Sequence, residues 1–516
     1  MRTRVYRLAI LAIALCGLSG LVASTVASGR GRAEAATAGV PVGVPAFPGA
    51  QGAGAASRGG RGGRVFIVTT LADSGGGSLR ECVEAAGPRI CTFAVGGTIE
   101  LKTTLYVTNP FLTVAGQTAP GGGVQLTNAV AATERDLSSL VLISTHDVVW
   151  TYTRLRNRYR INCSNNRTSD CGALFGIESN PERQTYNIIA ANNSLAWNQD
   201  EGFDIWSGTG APISDVTISM NLIAEGLDSH STGMLAGGSN GSFSRNVYNI
   251  DFHRNIVMNN SHRNPLMANG SGRVINNIFY NQSFYVSQFG GGGLFDVIGN
   301  YYKKGPTYRS SGFHEISGYS SFFSDAVDGA PSLYLAGNLG WNQPAPLGDQ
   351  WVMTRRVQGE NGREIGPAPA SWRRRTPLPP SPFPIVADPV AVIAKADGAI
   401  ALHVGASRRL DCAGAWVADR DAVDTRLIRQ YVENQGLRAL PRGSEAYAQL
   451  PTLSSGLACV DEDRDGMPDV WEAARFGDLR QAPGGDADHD GFTNIEAYLY
   501  GIPRPKGAGG RRSSPN

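Results

Sequence analysis

Between residues 185 and 340 one phrase returns six times: a short β-branched or aromatic segment, an asparagine, then one or two apolar residues. The asparagines are Asn193, Asn221, Asn255, Asn277, Asn300 and Asn338, at intervals of 28, 34, 22, 23 and 38 residues. A unit of roughly 20–30 residues cannot bury a core alone, so it must stack on its neighbours as a solenoid. Segments of β-formers separated by Asn, Gly and Ser turns predict strands rather than helices. Asparagine tolerates the left-handed bend such a coil needs, and its amide can bond to the equivalent amide one turn away. The expectation is a parallel β-helix with strands ~4.8 Å apart along its axis. An antiparallel sandwich fits less well, because hairpin dipeptides such as Asn-Gly are scarce between the segments. The unequal intervals place longer loops on some turns, where they wall a groove. Composition agrees: 65 glycines and only 17% charged residues in 516 point away from helical bundles.

The flanks predict a different organisation. Residues 1–35 carry Arg2, Arg4 and Arg7 before an apolar run and end near Ala33-Glu34-Ala35, a secretory signal peptide. Its removal leaves 41 basic and 43 acidic residues. That balance argues against a nucleic-acid partner, and no other stretch predicts a membrane span. The protein is expected to be extracellular and monomeric. Six cysteines remain, and spacing suggests pairs 82/91 and 163/171 with a distant third, among 15 possible connectivities. Ser78, with Glu81 three residues on, predicts a short capped helix that could close the solenoid's open end. The solenoid is expected over 45–345. A proline-rich wrap and a helical extension follow over 346–456, then an acidic region over 457–501 and a disordered tail over 502–516.

Several blocks carry a family resemblance. Phe47-Pro-Gly-Ala-Gln-Gly, Gly60-Arg-Gly-Gly-Arg-Val, Asp73-Ser-Gly-Gly-Gly-Ser-Leu-Arg, Gly97-Thr-Ile-Glu-Leu and Ala115-Gly-Gln-Thr-Ala-Pro-Gly resemble secreted bacterial pectate lyases of polysaccharide lyase family 1. Asn221-Leu-Ile-Ala-Glu-Gly-Leu, Arg263-Asn-Pro and Asp421-Ala-Val-Asp-Thr-Arg do so as well. The resemblance implies an all-β, right-handed parallel β-helix, Ca²⁺ at the active site, and β-elimination of polygalacturonate, an acidic polysaccharide. That chemistry removes a proton α to a carboxylate, so a hard cation on oxygen ligands is needed to neutralise the developing charge. By resemblance Asp200 and Asp204 are calcium carboxylates, and positions four apart on one strand would share a face. Glu201 is a weaker candidate ligand. Arg263 matches the family's base, and His262 beside it is expected to be structural.

Departures from the family pattern stand beside these matches. Ala191 and Asn192 replace an Asp-His pair, Thr232 a substrate-binding lysine, and Ala268 a second arginine. Arg154, Arg273 or Lys303 are candidates to replace the lost cations. Two rival readings follow: a carbohydrate-binding β-helix without catalysis, or a lyase on another uronate polymer.

A second calcium signal lies near the C-terminus. Asp461, Asp463, Asp465, Gly466, Asp469 and Glu472 match the loop D-x-D-x-D-G-x5-E, whose oxygens encircle a cation while glycine makes the turn. Asp486, Asp488, Asp490, Gly491 and Asn494 repeat it 25 residues later, with Glu496 standing in because Ala497 occupies the last position. The pair resembles dockerin-like or thrombospondin-type-3-like modules, implying a small α-helical calcium-binding region whose bound metal supplies folding energy.

Overall fold

Each asparagine of the repeat from Asn193 to Asn300 donates both its backbone N–H and its Nδ2 to the Oδ1 of the next, and Asn338 N–H donates to Gln350 Oε1 at 2.7 Å. The distances are 2.8 and 3.2 Å from Asn193 to Asn221, and 2.9 and 3.2 Å from Asn221 to Asn255. They are 2.9 and 3.0 Å at each of the three following steps, to Asn277, Asn300 and Asn338. The other Nδ2 hydrogen reaches a strand carbonyl one coil back, as from Asn255 to Ile218 O at 2.9 Å. All six asparagines are buried, so the ladder satisfies polar groups that no water reaches. One detail differs from expectation. The left-handed residue is the one before each ladder asparagine: Asn192, Met220, Arg254 and Asn276 at φ 54–57°, then Gly299 and Gly337 at 62° and 64°.

The protein was analysed as a computed structural model that describes residues 43–130, 132, 137–158, 172–227, 230–307, 314–319, 329–358, 363–436 and 450–503. The signal segment, Cys163, Cys171 and residues 504–516 lie outside the described residues. Within them the chain winds through three sheets of 10, 10 and 8 strands, whose neighbours come from successive coils. One coil runs Phe203–Ser207 in the second sheet, Ile213–Ser219 in the first and Leu222–Ala224 in the third, and Met234–Gly238 opens the next. Apart from the antiparallel pair Thr354–Val357 with Glu364–Pro367, the pairings in these sheets are parallel, as expected of a parallel β-helix. Alternate residues such as Phe203, Ile205, Val216, Ile218 and Ile223 point inward to one continuous core.

The flanking segments cover what the solenoid leaves open. Helix Leu79–Glu84, with Ser78 as its N-cap, buries Leu79, Cys82 and Val83 over the first coil and is tied by the Cys82–Cys91 disulfide. The proline-rich stretch lies along the outside of the first sheet, where Pro379 O accepts from Arg273 and Phe383 O from Gly52 N. Helix Ala422–Val432 places Val423, Leu427 and Tyr431 against Leu222, Ala224, Ile256, Met258 and Ile278 of the third sheet. Its N-cap region is pinned by buried ion pairs of Arg156 with Asp421 at 2.5 Å and Asp424 at 2.6 Å. The acidic C-terminal region packs directly on the solenoid: Met467, Trp471, Ile495 and Leu499 share a core with Ile90 and Ala115 of the first coils. The Cys412–Cys459 disulfide ties it further. Among the described residues no helix is long and apolar enough to cross a membrane.

Asn255→Ala strands the backbone N–H and Nδ2 of Asn221 in the core. It is expected to lower unfolding free energy by about 2–4 kcal/mol, measured by denaturant titration, whereas an exposed substitution such as Val386→Ala changes it little.

Candidate active site

Three successive turns that lead into second-sheet strands stack to form the site. The first, residues 197–202, carries Asp200 and Glu201 into strand Phe203–Ser207, where Phe203 and Ile205 face the core and Asp204 faces out. Asp200 therefore sits on the turn, and the expectation that it shares a strand face with Asp204 is corrected. The second turn carries His230 and Thr232 into Met234–Gly238. The third carries His262 and Arg263 into Leu266–Met267.

Backbone and side-chain bonds lock these turns together. The Thr232 hydroxyl donates to Asp200 O at 2.7 Å, and Asn198 Nδ2 donates to Thr232 O at 2.9 Å. Thr232 thus braces the Asp200 turn where relatives are expected to carry a lysine. Arg263 has φ 55°, and its carbonyl accepts from Gly233 N and Met234 N at 3.1 and 2.8 Å. Its own N–H donates to Gln288 Oε1 at 3.2 Å. Those anchors aim the guanidinium back past the middle turn to the first, where Nη1 pairs with Glu201 Oε1.

Glu201 is therefore central to the cluster. Burial pushes its carboxyl up, but Arg263 and its other neighbours hold it down at about 2. Burial raises Asp200 and Asp204 well above the usual carboxylate range, and the charge on Glu201 raises both further. His230 Nδ1 lies 2.8 Å from Asp200 Oδ1, at ion-pair distance but not at a hydrogen-bond angle. The His230 ring sits 5.5 Å from that of buried His262. Asp200, Glu201 and His230 together bring three potential ligand atoms within 4.8 Å of one another. Asp204 Oδ1 is buried with no hydrogen-bond partner. Three neighbouring carboxylates, two of them (Asp200 and Asp204) with a buried oxygen lacking a hydrogen-bond partner, beside one guanidinium, fit a hard divalent cation.

Sequence reasoning gave Glu201 a minor part and did not single out His230. The signal available was the coil register, which sets the turns before the second-sheet strands one above another. Ala191 packs with Ala46, Ala50, Ala55 and Val149 on the first sheet. Ala268 is buried and bonded through its backbone to Ala236. None of the proposed replacement cations reaches the site. Arg154 is held by Asp419 and Asp421, Arg273 by Asp251, and Lys303 lies over the rings of Tyr280 and Tyr431.

The two C-terminal loops share a backbone. Arg464 and His489 have φ 59° and 60° at their fourth positions, and Gly466 and Gly491 have 90° and 92° at their sixth. In each, the first aspartate caps the glycine N–H at 3.0 Å: Asp461 for Gly466 and Asp486 for Gly491. In the first loop Glu472 is buried with both carboxylate oxygens lacking hydrogen-bond partners, as does Asp465 Oδ2. Burial and the neighbouring aspartates push Glu472 up to about 8 and Asp465 to about 7, which shows how poorly these charges are compensated by the protein alone. Asp461, Asp463 and Asp465 converge, and Asp469 Oδ1 accepts from Glu462 N at 2.9 Å.

The second loop differs from expectation. Glu496 closes a capping box with Thr493 at the start of helix Asn494–Leu499 and pairs with Arg61 Nε at 2.9 Å. It is turned to helix capping rather than to the loop. Asp488 is drawn to Arg475 at 2.6 Å, while Asp486 Oδ1 keeps no partner. Asn494 Oδ1 accepts from Ala487 N at 3.1 Å, and Asp486, Asp488 and Asp490 still converge.

Because Glu201 neutralises a largely buried guanidinium, Glu201→Ala in the presence of chelator should cost about 3 kcal/mol of unfolding free energy. The Glu201→Ala/Arg263→Ala double variant should cost less than the two single changes added together, and a double-mutant cycle by denaturant titration checks this.

No family model matches the chain. Among curated proteins it resembles Probable pectate lyase C of Aspergillus flavus, 30% identical over 463 residues that span 89% of this chain and 94% of that protein. The Aspergillus terreus protein of the same name is 29% identical over 467 residues, with the same coverage. These relatives are fungal, so the likeness to bacterial enzymes narrows to the family itself. Solved structures overlap more loosely. The cedar pollen allergen jun a 1 is 17% identical, with TM-score 0.44 over 69% of this chain and 92% of that one. Pectate lyase Bsp165PelA from Bacillus sp. N165, solved with trigalacturonate, is 15% identical, with TM-score 0.43 over 69% and 98%. On the extent and level of its identity to these curated relatives, the chain belongs to the pectate lyase family.

Proposed function

We propose that the protein is an extracellular, monomeric pectate lyase that cleaves polygalacturonate by calcium-dependent β-elimination. The observation that carries this reading is the meeting of Arg263 with Asp200, Glu201 and Asp204, one of whose buried oxygens is unpartnered. Asp200 and Asp204 would hold Ca²⁺, with Glu201 and His230 close enough to complete the donor set. When bound, the cation offsets the charge that builds on the uronate carboxylate as the adjacent C–H is broken.

The chain's own residues do the remaining work. Glu201 grips Nη1 of Arg263 and holds the guanidinium beside the carboxylate-bearing turn. To act as base, the Arg263 guanidinium first gives up a proton to solvent; the neutral guanidine then takes the C5 proton, the C–H pair becomes the C4–C5 double bond, and the C4–O bond breaks. The departing oxygen takes a proton from water. Thr232 and Asn198 keep the carboxylate-bearing turn at its distance from the base.

The C-terminal loops support a structural role for further Ca²⁺. Asp461, Asp463, Asp465, Asp469 and Glu472 would encircle one ion. Asp486, Asp488, Asp490 and Asn494 offer a less complete set, without Glu496. Metal there would fix the loops that lie on the first coils, strengthening attachment of a dockerin-like region that shares the solenoid's core.

Two measurements test these readings. With polygalacturonate and Ca²⁺, ultraviolet absorbance of the unsaturated product should rise, stop with excess chelator, and fall by about 10²–10⁴ in rate in Arg263→Ala; a folded, calcium-loaded protein without that signal would refute the lyase assignment. Separately, Ca²⁺ at about 100 times its dissociation constant should stabilise the fold by about 2.7 kcal/mol. Glu472→Gln should reduce that calorimetric gain, and Glu496→Gln should leave it intact.

A further inference from the structure

On the outside of the first sheet, away from the cluster just described, successive coils present the same pair of residues. They are His146-Asp147, Tyr186-Asn187, Ser214-Asp215 and Tyr248-Asn249, the second of each left-handed at φ 54°, 51°, 55° and 54°. Tyr186, Ser214 and Tyr248 are in register on neighbouring strands. The outward side chains form a ring ladder. Phe111 meets His146 edge-on at 5.2 Å, and His146 lies flat on Tyr186 at 4.6 Å with 8° between planes. The next rung is missing, because Ser214 stands there, and Tyr248 beyond it is 40% exposed.

The spacing of this gap defines what enters it. Strands ~4.8 Å apart put the two tyrosines ~9.6 Å apart, while one step of the ladder already accommodates a face-to-face contact at 4.6 Å. Two steps therefore admit one ring touching both faces. A depression of about 510 Å³ occupies this place, walled by Pro181 and Pro212, with Glu182, Arg183 and Gln184 at its edge. Ser214 is bonded to Asp215 at 2.7 Å, and Asp215 accepts from Asn249 at 3.1 Å, so the base of the slot is held in place. The lining carries two carboxylates, Glu182 and Asp215, and one guanidinium, Arg183, a balance that disfavours an anionic ring.

We propose that this slot binds a single pyranose ring of a neutral polysaccharide, sandwiched between Tyr186 and Tyr248 with its hydroxyls toward the polar edge. Aromatic faces bind the C–H face of a sugar, and side-chain amides and charged groups take its hydroxyls. The slot is separate from the carboxylate cluster and would anchor the protein to uncharged chains. The inference does not depend on the lyase reading.

Calorimetric titration of the full chain with β-1,4-galactotetraose and, separately, trigalacturonate tests it. Galactotetraose should bind saturably, and Ser214→Tyr, which fills the missing rung, should weaken binding by about tenfold or more. Tyr248→Ala, an exposed position, should do the same, with cleavage of soluble polygalacturonate unchanged in both variants. Absence of saturable galactotetraose binding, or binding that survives both substitutions, would overturn the proposal. Trigalacturonate binding lost on Ser214→Tyr but kept in Arg263→Ala would overturn the neutral assignment.

Discussion

A buried primary amide needs two acceptors and offers one, and a solenoid answers that demand only if the same amide returns at the same height in every coil. The asparagine ladder does this over six coils. It sets the rise between strands, and through it the stacking of every other feature that repeats with the coil. Each asparagine satisfies its neighbour's backbone and side chain at once, so a shift of one coil would orphan donors on both sides. The left-handed residue before each asparagine turns the chain from the first sheet toward the third. Register in all three sheets follows from these two local features.

That register makes the site possible. Asp200, His230 and Arg263 are far apart in sequence, yet each sits on the turn entering a second-sheet strand, and the coil rise brings those turns into contact. The result is electrostatically one-sided. Burial and mutual repulsion disfavour charge on Asp200 and Asp204, while Glu201 remains ionised beside Arg263. Among the described residues Glu201 pairs with the guanidinium, and Asp200 lies beside His230. The cluster stores a demand for positive charge at the outer face of the sheet.

Much of this was legible in the residues. The ladder asparagines and the capped helix at Ser78 stand where local pattern put them, because each depends on short-range chemistry, whereas the helical extension gives way before helix Ala422–Val432 to an antiparallel pair, Arg408–Leu410 with Trp416–Ala418. The site was legible only in part. Asp200, Asp204 and Arg263 came through family likeness, whereas the partnership of Glu201 and the approach of His230 depend on loops of unequal length whose stacking no local pattern encodes. Glu496 was ambiguous because one carboxylate can serve a metal loop or a helix cap, and here it bonds the Thr493 hydroxyl and Arg61.

The C-terminal loops bring a final consequence. Met467, Trp471, Ile495 and Leu499 complete the burial of Ile90 and Ala115, so these early coils are finished by a segment that follows every later coil in the chain. A growing polypeptide leaves these coils with an uncovered apolar flank until that segment has been made. Maturation of this β-helix is therefore not a simple zipping from one end: it closes as a ring in sequence, and its opening turns gain their final cover last.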